Sequence, residues 1–451
     1  MTETASVAGR AQAFSDRVFT LFATSVFTTG LGIVIGFVLA SVLGPSGKGD
    51  FYLITLLPVT ITVLIQFGLP TALSYFSARG QTVGINVKTI VLTIALCVPS
   101  LLVAAGFMVA FGGTALRFLD PIEIVIGLAA LPFALNSTFT TGVLLGRQAV
   151  RWYAAINIGQ SLCSIILFIV LVGVLGLGVI GALWAFLLVY VISATGFLIG
   201  SNRISAAVTD PQRLSYRELF RYGLPFYPGS LTQFFSLRVD IYLLAWMVPD
   251  PSAPIGYYSM AVTMAQLVFF LPNAVSTLFF PHVAGSTRAD SDRQVGMVAR
   301  VTLLLTAVVA LALAPVATVL IRVLLPSFEP SLPALYVMLP AVVALSLTKV
   351  LSSYVAGLGR SGWTSIVNVG ALVLNVVANL ILIPMFGIVG AATASLISYG
   401  ASALAFTAMA ASLSGTSVLG FWIPQRSDIT FTIRVLVSMG RRAMRRTPAI
   451  G

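Results

Sequence analysis

Apolar stretches of about 20 or more residues follow one another along almost the whole chain, and each is long enough to cross a bilayer as a helix. Charges, glycines and prolines divide them into twelve: residues 18–43, 51–77, 89–111, 122–145, 153–175 and 179–199, then 220–247, 255–283, 301–324, 332–358, 364–383 and 389–413. Only 8% of the 451 residues are charged, against about 25% in soluble domains. A soluble surface of this size cannot be clothed with 25 basic and 13 acidic side chains, which excludes a soluble enzyme, a coiled coil and a disordered chain. Period-two alternation is nowhere sustained, so a β-barrel is excluded too. The fold class expected is an all-α polytopic membrane protein.

Basic residues then orient the helices, because cytoplasmic segments are enriched in Lys and Arg. With the N-terminus inside, twenty of the 25 basic residues fall on the cytoplasmic side, among them Arg147, Arg213, Arg293 and Arg360. Lys48, Arg117 and Arg322 fall outside, together with Asp250 and Glu329, and both termini are cytoplasmic. The net charge of +12 is therefore topological, and no soluble basic module exists to bind nucleic acid. The tail after Asp428 mixes apolar residues with Arg434, Arg441, Arg442, Arg445 and Arg446. It reads equally as an interfacial helix on anionic lipid or as a loose end.

The chain also repeats itself. Trp152, Asn157 and Gly159 recur as Trp363, Asn368 and Gly370, 211 residues on. Gly178-Val179-Ile180-Gly181-Ala182 recurs as Gly387-Ile388-Val389-Gly390-Ala391, 209 residues on. Spans four to six thus match spans ten to twelve, six apart, so the copies run parallel about an axis normal to the membrane. The organisation expected is a six-helix bundle over 1–200, a cytoplasmic linker over 201–217, a second bundle over 218–413 and a basic tail over 414–451, with a central cavity between the bundles.

Several motifs carry no chemistry. Cys97 and Cys163 lie within spans at no ligand spacing, and His282 is the only histidine. The sequon at Asn136 falls inside a span. The glycines 176, 178 and 181 spell a dinucleotide fingerprint without the strand before it. No cofactor and no metal is expected. Amides are more informative: Gln66, Asn157, Gln160, Gln233, Gln266, Asn273, Asn368, Asn375 and Asn379 all lie in spans, where they either bridge helices or line a cavity. As a set they suit a sugar path, because an amide both donates to and accepts from hydroxyls.

Leu43-Gly44-Pro45, Gly49-Asp50-Phe51-Tyr52, Tyr222-Gly223-Leu224-Pro225 and Ile255-Gly256-Tyr257-Tyr258 occur in an order that resembles polysaccharide transporters of the Wzx (O-antigen flippase) type, over essentially the whole chain. The resemblance implies membership of the multidrug/oligosaccharidyl-lipid/polysaccharide exporter superfamily. It also implies movement of undecaprenyl-pyrophosphate-linked oligosaccharide to the outer leaflet of the bacterial inner membrane, with membrane lipids and other polysaccharide assembly proteins as partners. The related lipid II flippases usually carry fourteen spans, and twelve are read here. A multidrug/cation antiporter of the same superfamily would need cavity carboxylates, yet Asp240 is the only acid well inside a span. A membrane polymerase or glycosyltransferase would need a large external loop with acidic residues, and these loops are short.

Arg238 and Lys349 are the two basic residues deep in spans, at a cost of about 2.5–3.5 kcal/mol each on insertion scales, so each needs a partner or a role. In one arrangement Asp240 pairs with Lys349 while Arg238 caps backbone carbonyls. In the other, Arg238 and Lys349 bind the pyrophosphate, and Asp240 balances their charge when substrate is absent.

Overall fold

The computed structural model describes residues 2–80, 83–111, 119–206, 214–423, 425 and 428. Arg117, part of the linker including Arg213, and the basic tail after Asp428 lie outside the described residues. Among the described residues no β-strand forms, and nine helices are long and apolar enough to cross a membrane. Hydrocarbon offers no partner for an exposed N–H or C=O, so each crossing must satisfy its backbone within its own helix. Hydroxyls obey the same constraint: Thr55 donates to the Phe51 carbonyl at 2.7 Å, Thr306 to Thr302 at 2.6 Å and Thr407 to Ala403 at 2.6 Å.

Breaks fall where the backbone chemistry demands them. Helix α1 (Thr2–Ile65) carries the first expected span and the start of the second and is interrupted at Gly44, whose φ of 67° is open to glycine and closed to most residues. A second turn at Phe67 and Gly68 separates α1 from α2 (Leu69–Ala78), so the expected span 51–77 is two helices rather than one. The expected span 220–247 is more broken still. It consists of α8 (Tyr216–Gly223), a 3₁₀ turn (Leu224–Phe226), α9 (Tyr227–Phe235) and α10 (Val239–Met247), where α3 to α7 cover the intervening chain. Pro225 and Pro228 donate no N–H, and each stands at the start of its helical segment, where none is required. Helices α3 (Ile85–Phe111), α4 (Pro121–Ala129), α5 (Leu131–Gly146), α6 (Val150–Phe168) and α7 (Gly178–Ala206) complete the first half. Then come α11 (Ser252–Gly285), α12 (Arg288–Leu324), α13 (Leu332–Gly357) and α14 (Ser361–Ser414), the last interrupted at Gly387 with φ 54°.

The chain divides into two compact units. The first comprises Met1–Met260 with Leu324–Phe328, the second Ala261–Val323 with Glu329–Gly451. In the first, Leu69, Leu73, Leu135, Phe139, Val143 and Leu219 are fully buried around the α2–α5 contact. That contact is backbone to backbone: a Cβ on Gly142 would stand 2.4 Å from the Pro70 carbonyl oxygen. In the second unit, Leu347, Leu351, Tyr354, Phe406 and Phe421 are equally buried. Several of its polar side chains pair with one another. Asn375 donates to Ser398 at 3.1 Å, Asn379 to the Asn375 side chain at 3.0 Å, and Ser402 lies 3.0 Å from Thr348. Arg300 donates from Nε to Asp428 at 2.5 Å and from Nη1 to the Gly420 carbonyl at 2.7 Å. Burial alone would raise the Asp428 carboxyl pKa, but hydrogen bonds from Arg300 and from the Gln425 N–H hold it below the usual carboxylate range.

Candidate functional site

Within the first unit α1, α2, α5, α6, α7 and α8 surround a cavity of about 740 Å³, inside the range of about 300–1,000 Å³ that small-molecule sites occupy. Residues three, four and seven apart share one face of a helix. Tyr153, Asn157 and Gln160 of α6 line the cavity at that spacing, and so do Tyr190, Ser193 and Phe197 of α7. Thr62 of α1, Gln66 just beyond it, Thr71, Ser74 and Tyr75 of α2, Ser137, Thr138 and Thr141 of α5 and Tyr222 of α8 complete the polar lining, which contains no charged side chain. Tyr75 closes one wall, stacked on Tyr222 at 4.1 Å between ring centroids with the Arg79 guanidinium 4.4 Å from its own centroid.

The amides singled out in the sequence therefore divide. Gln66, Asn157 and Gln160 line this cavity, and Gln160 also bridges helices by accepting from Ser193 at 2.9 Å. Asn375 and Asn379 are buried within the second unit, while Gln233, Gln266, Asn273 and Asn368 are exposed. Sequence reading missed the hydroxyl contributors Thr62, Ser137 and Ser193 and the rings of Tyr153 and Tyr190. The seven-residue spread of polar residues on α6, inside an otherwise apolar helix, was the signal that could have found them.

Arg238 ends the Ser236–Arg238 turn immediately before α10, with φ −138° and ψ −17°. It is half-buried, and its Nη1 reaches the Tyr52 hydroxyl at 3.5 Å. Asp240 is buried at the start of α10, where Oδ2 accepts from the Tyr258 hydroxyl and Oδ1 from the Ile241 N–H at 2.9 Å. Arg238 and Asp240 thus stand two residues apart with separate hydroxyl partners. Lys349 belongs to α13 in the second unit, with its ammonium 5.2 Å from the Phe269 ring centroid, a cation–π distance.

Comparison with known proteins agrees with this architecture. The chain is 24% identical over 403 residues to the uncharacterized membrane protein MJ1375 of Methanocaldococcus jannaschii, covering 85% of this chain and 94% of that protein. It is 24% identical over 209 residues to the probable flippase AglR of Haloferax volcanii, covering 45% of this chain and 43% of that one. Its fold matches a solved structure of the lipid II flippase MurJ in the inward closed conformation, with a TM-score of 0.67 and 15% identity over 94% of this chain and 100% of that one. The chain is a multi-pass membrane protein with a transporter fold. Residues 15–286, more than half of it, match the model of the polysaccharide biosynthesis protein family, and the chain belongs to that family.

Proposed function

We propose that this protein is a flippase that carries an isoprenoid-pyrophosphate-linked oligosaccharide from the inner to the outer leaflet of a bacterial plasma membrane by alternating access. The observation that carries the reading is the cavity of the first unit: amides, hydroxyls and tyrosines without a charge, in a chain of the polysaccharide biosynthesis family. A cationic drug would need a carboxylate there, and the lining contains none. Arg238 contacts the pyrophosphate as a planar fork, with Asp240 balancing its charge when substrate is absent, and Lys349 of the second unit offers the same group a point charge.

Twelve crossings in two parallel halves accompany this reading. The 43-residue apolar helix Ala23–Ile65 would be about 65 Å long if straight, twice a hydrocarbon core of about 30 Å, and its break at Gly44 makes it two crossings. Helix α14 divides in the same way at Gly387, and the segmented stretch from α8 to α10 supplies another crossing. Both termini then face the cytoplasm.

The test is deletion of the gene followed by leaflet-resolved labelling of the lipid-linked sugar. The sugar should accumulate on the cytoplasmic face. Normal outward exposure, in a strain with no second flippase, refutes the reading. At the site itself, Arg238→Ala should abolish flipping at normal protein abundance, and Arg238→Lys should retain part of it. Full activity of Arg238→Ala would remove this residue from the substrate path.

A further inference from the structure

In the first unit, at the end expected to face outward, α1 and the start of α11 cross with their backbones in contact. A Cβ on Gly49 would overlap the Ser252 carbonyl, and a Cβ on Gly256 would overlap the Pro45 carbonyl. The contact is reciprocal. Pro45 and Gly49 stand four apart on α1, Ser252 and Gly256 four apart on α11, and each pair lies 207 residues from the other. Small residues at that spacing let two helices approach until their backbones touch.

Lys48 is set into this crossing, on the bend between the first two crossings of the membrane. It is 5% exposed, with its ammonium 3.1 Å from the Met260 sulfur and 5.2 Å from the Phe328 ring centroid. Among the described residues no carboxylate forms an ion pair with it. A thioether is a weak acceptor and a ring face replaces only part of a hydration shell, so an ammonium held here is poorly compensated. The neighbouring titratable groups are engaged elsewhere. Asp50, on the same bend, accepts from Ser252, while burial and the like charge of Asp250 push its carboxyl pKa up. Tyr258 of α11 donates to Asp240, Tyr257 packs edge-on against Phe328, and Glu329 pairs with Arg322 at 2.9 Å. From α7, Val179 is what meets the bend at Gly47. Burial therefore pushes the Lys48 pKa down to about 7.

We propose that this crossing is a latch at the outer end of the protein and that Lys48 releases it: closed around the neutral amine, the latch opens when Lys48 takes up a proton and its ammonium enters water. What the latch gates, the exit of the sugar, rests on the flippase reading; the latch itself is tested without transport. The sign follows from linkage. A basic group whose pKa is lowered in the closed form favours closure as pH rises from about 7 towards the ordinary lysine value of about 10.4. The interval from about pH 7 to about pH 9 lies between the ordinary ranges of carboxyl groups and phenols, which leaves it to Lys48.

Nitroxides are attached at Ser46→Cys and Ala253→Cys, each one residue from a backbone contact, in the full-length chain carrying Cys97→Ala and Cys163→Ala. Spin–spin broadening in lipid nanodiscs reports closure. It should be strong near pH 9 and weaken towards pH 7, the closed-to-open ratio falling by about tenfold or more. Lys48→Met, similar in length and uncharged, should keep it strong at both values without lowering the unfolding temperature. Lys48→Arg, charged throughout, should keep it weak at both. Asp50→Asn should leave the pH response in place. Broadening that ignores pH in the parent protein overturns the proposal, as does a response that survives Lys48→Met or strong broadening in Lys48→Arg. Loss of the response in Asp50→Asn overturns it in favour of a carboxylate sensor. If the latch responds while deletion of the gene leaves the sugar normally exposed, the flippase reading fails and the latch stands. Sugar trapped inside, with a crossing indifferent to pH, reverses the two.

Discussion

Helix α7 of the first unit and the second half of α14 in the second unit share residue types at matching spacing and differ in what they border. At the spacing of 209 residues that joins their glycines, Tyr190, Ser193 and Phe197 correspond to Tyr399, Ser402 and Phe406. The first three line a cavity. Of the second three, Phe406 is completely buried, and Ser402 is 4% exposed and faces Thr348 across the α13–α14 contact. Ser193 and Phe197 are themselves only 3% exposed, so the two sets are comparably buried and the first differs in bordering a cavity. What differs is the helix opposite. Around α7, Gln160 of α6 accepts from Ser193 and both residues still border the cavity; around α14, Thr348 and Asn375 engage serines on α14 itself. Polar residues in a membrane helix thus reveal their role through their partners, and the two units should respond to substitution in opposite ways.

The largest effect on stability is expected in the second unit, at the Arg300–Asp428 pair, whose side chains are 8% and 1% exposed. Removing one member of a buried pair leaves the other uncompensated at a cost of about 3–5 kcal/mol. Asp428→Asn should therefore lower the unfolding temperature of the purified protein markedly. The pH dependence has a definite sign. The Asp428 carboxyl is held below its ordinary range in the fold, so the pair's contribution is complete above the ordinary carboxylate pKa and declines as pH falls through the lowered one. A thermal melt as stable at pH 3 as at pH 7 would contradict this.

Intermediate effects belong to the contact between the two halves of α14, on either side of Gly387. Asn375→Leu removes one of two hydrogen bonds from Ser398 and from the amide of Asn379, each of which keeps a backbone partner, and should cost about 0.5–1.5 kcal/mol, with flipping per folded molecule retained. If it removed transport at full stability instead, the contrast between the units would be wrong.

The smallest stability effects, and the largest functional ones, are expected in the cavity wall. Thr62→Val and Ser137→Ala remove hydroxyls that have no partner in the protein, so unfolding should change by less than about 0.5 kcal/mol or move upward. Transport of the lipid-linked sugar should fall in the same variants. A clear destabilisation would show that these hydroxyls serve packing.

How much of this could be read from residues alone follows the same division. Apolar length and basic asymmetry suffice for a polytopic helical membrane protein, because lipid imposes them on every crossing. The amides Gln66, Asn157 and Gln160 were legible as a set, since an amide in a span always demands explanation. Thr62 and Ser137 were not. Serine and threonine return their hydroxyls to their own helix so often that only three-dimensional structure distinguishes those that do not, here Thr62, Ser77 and Ser137. The interruption before Arg238 was foreshadowed by Pro225 and Pro228, whereas the turn at Phe67 and Gly68 had no proline of comparable clarity before it.

The most direct test of the whole account is transport by the purified protein in vesicles. A polyprenyl-pyrophosphate lipid with a fluorescent neutral oligosaccharide is reconstituted with the full-length chain, and an impermeant quencher reports how fast the sugar changes leaflet. The account predicts protein-dependent transfer that Arg238→Ala abolishes and that the double variant Thr62→Val with Ser137→Ala slows by about tenfold. Transfer no faster than in protein-free vesicles, or transfer indifferent to both variants, would contradict it.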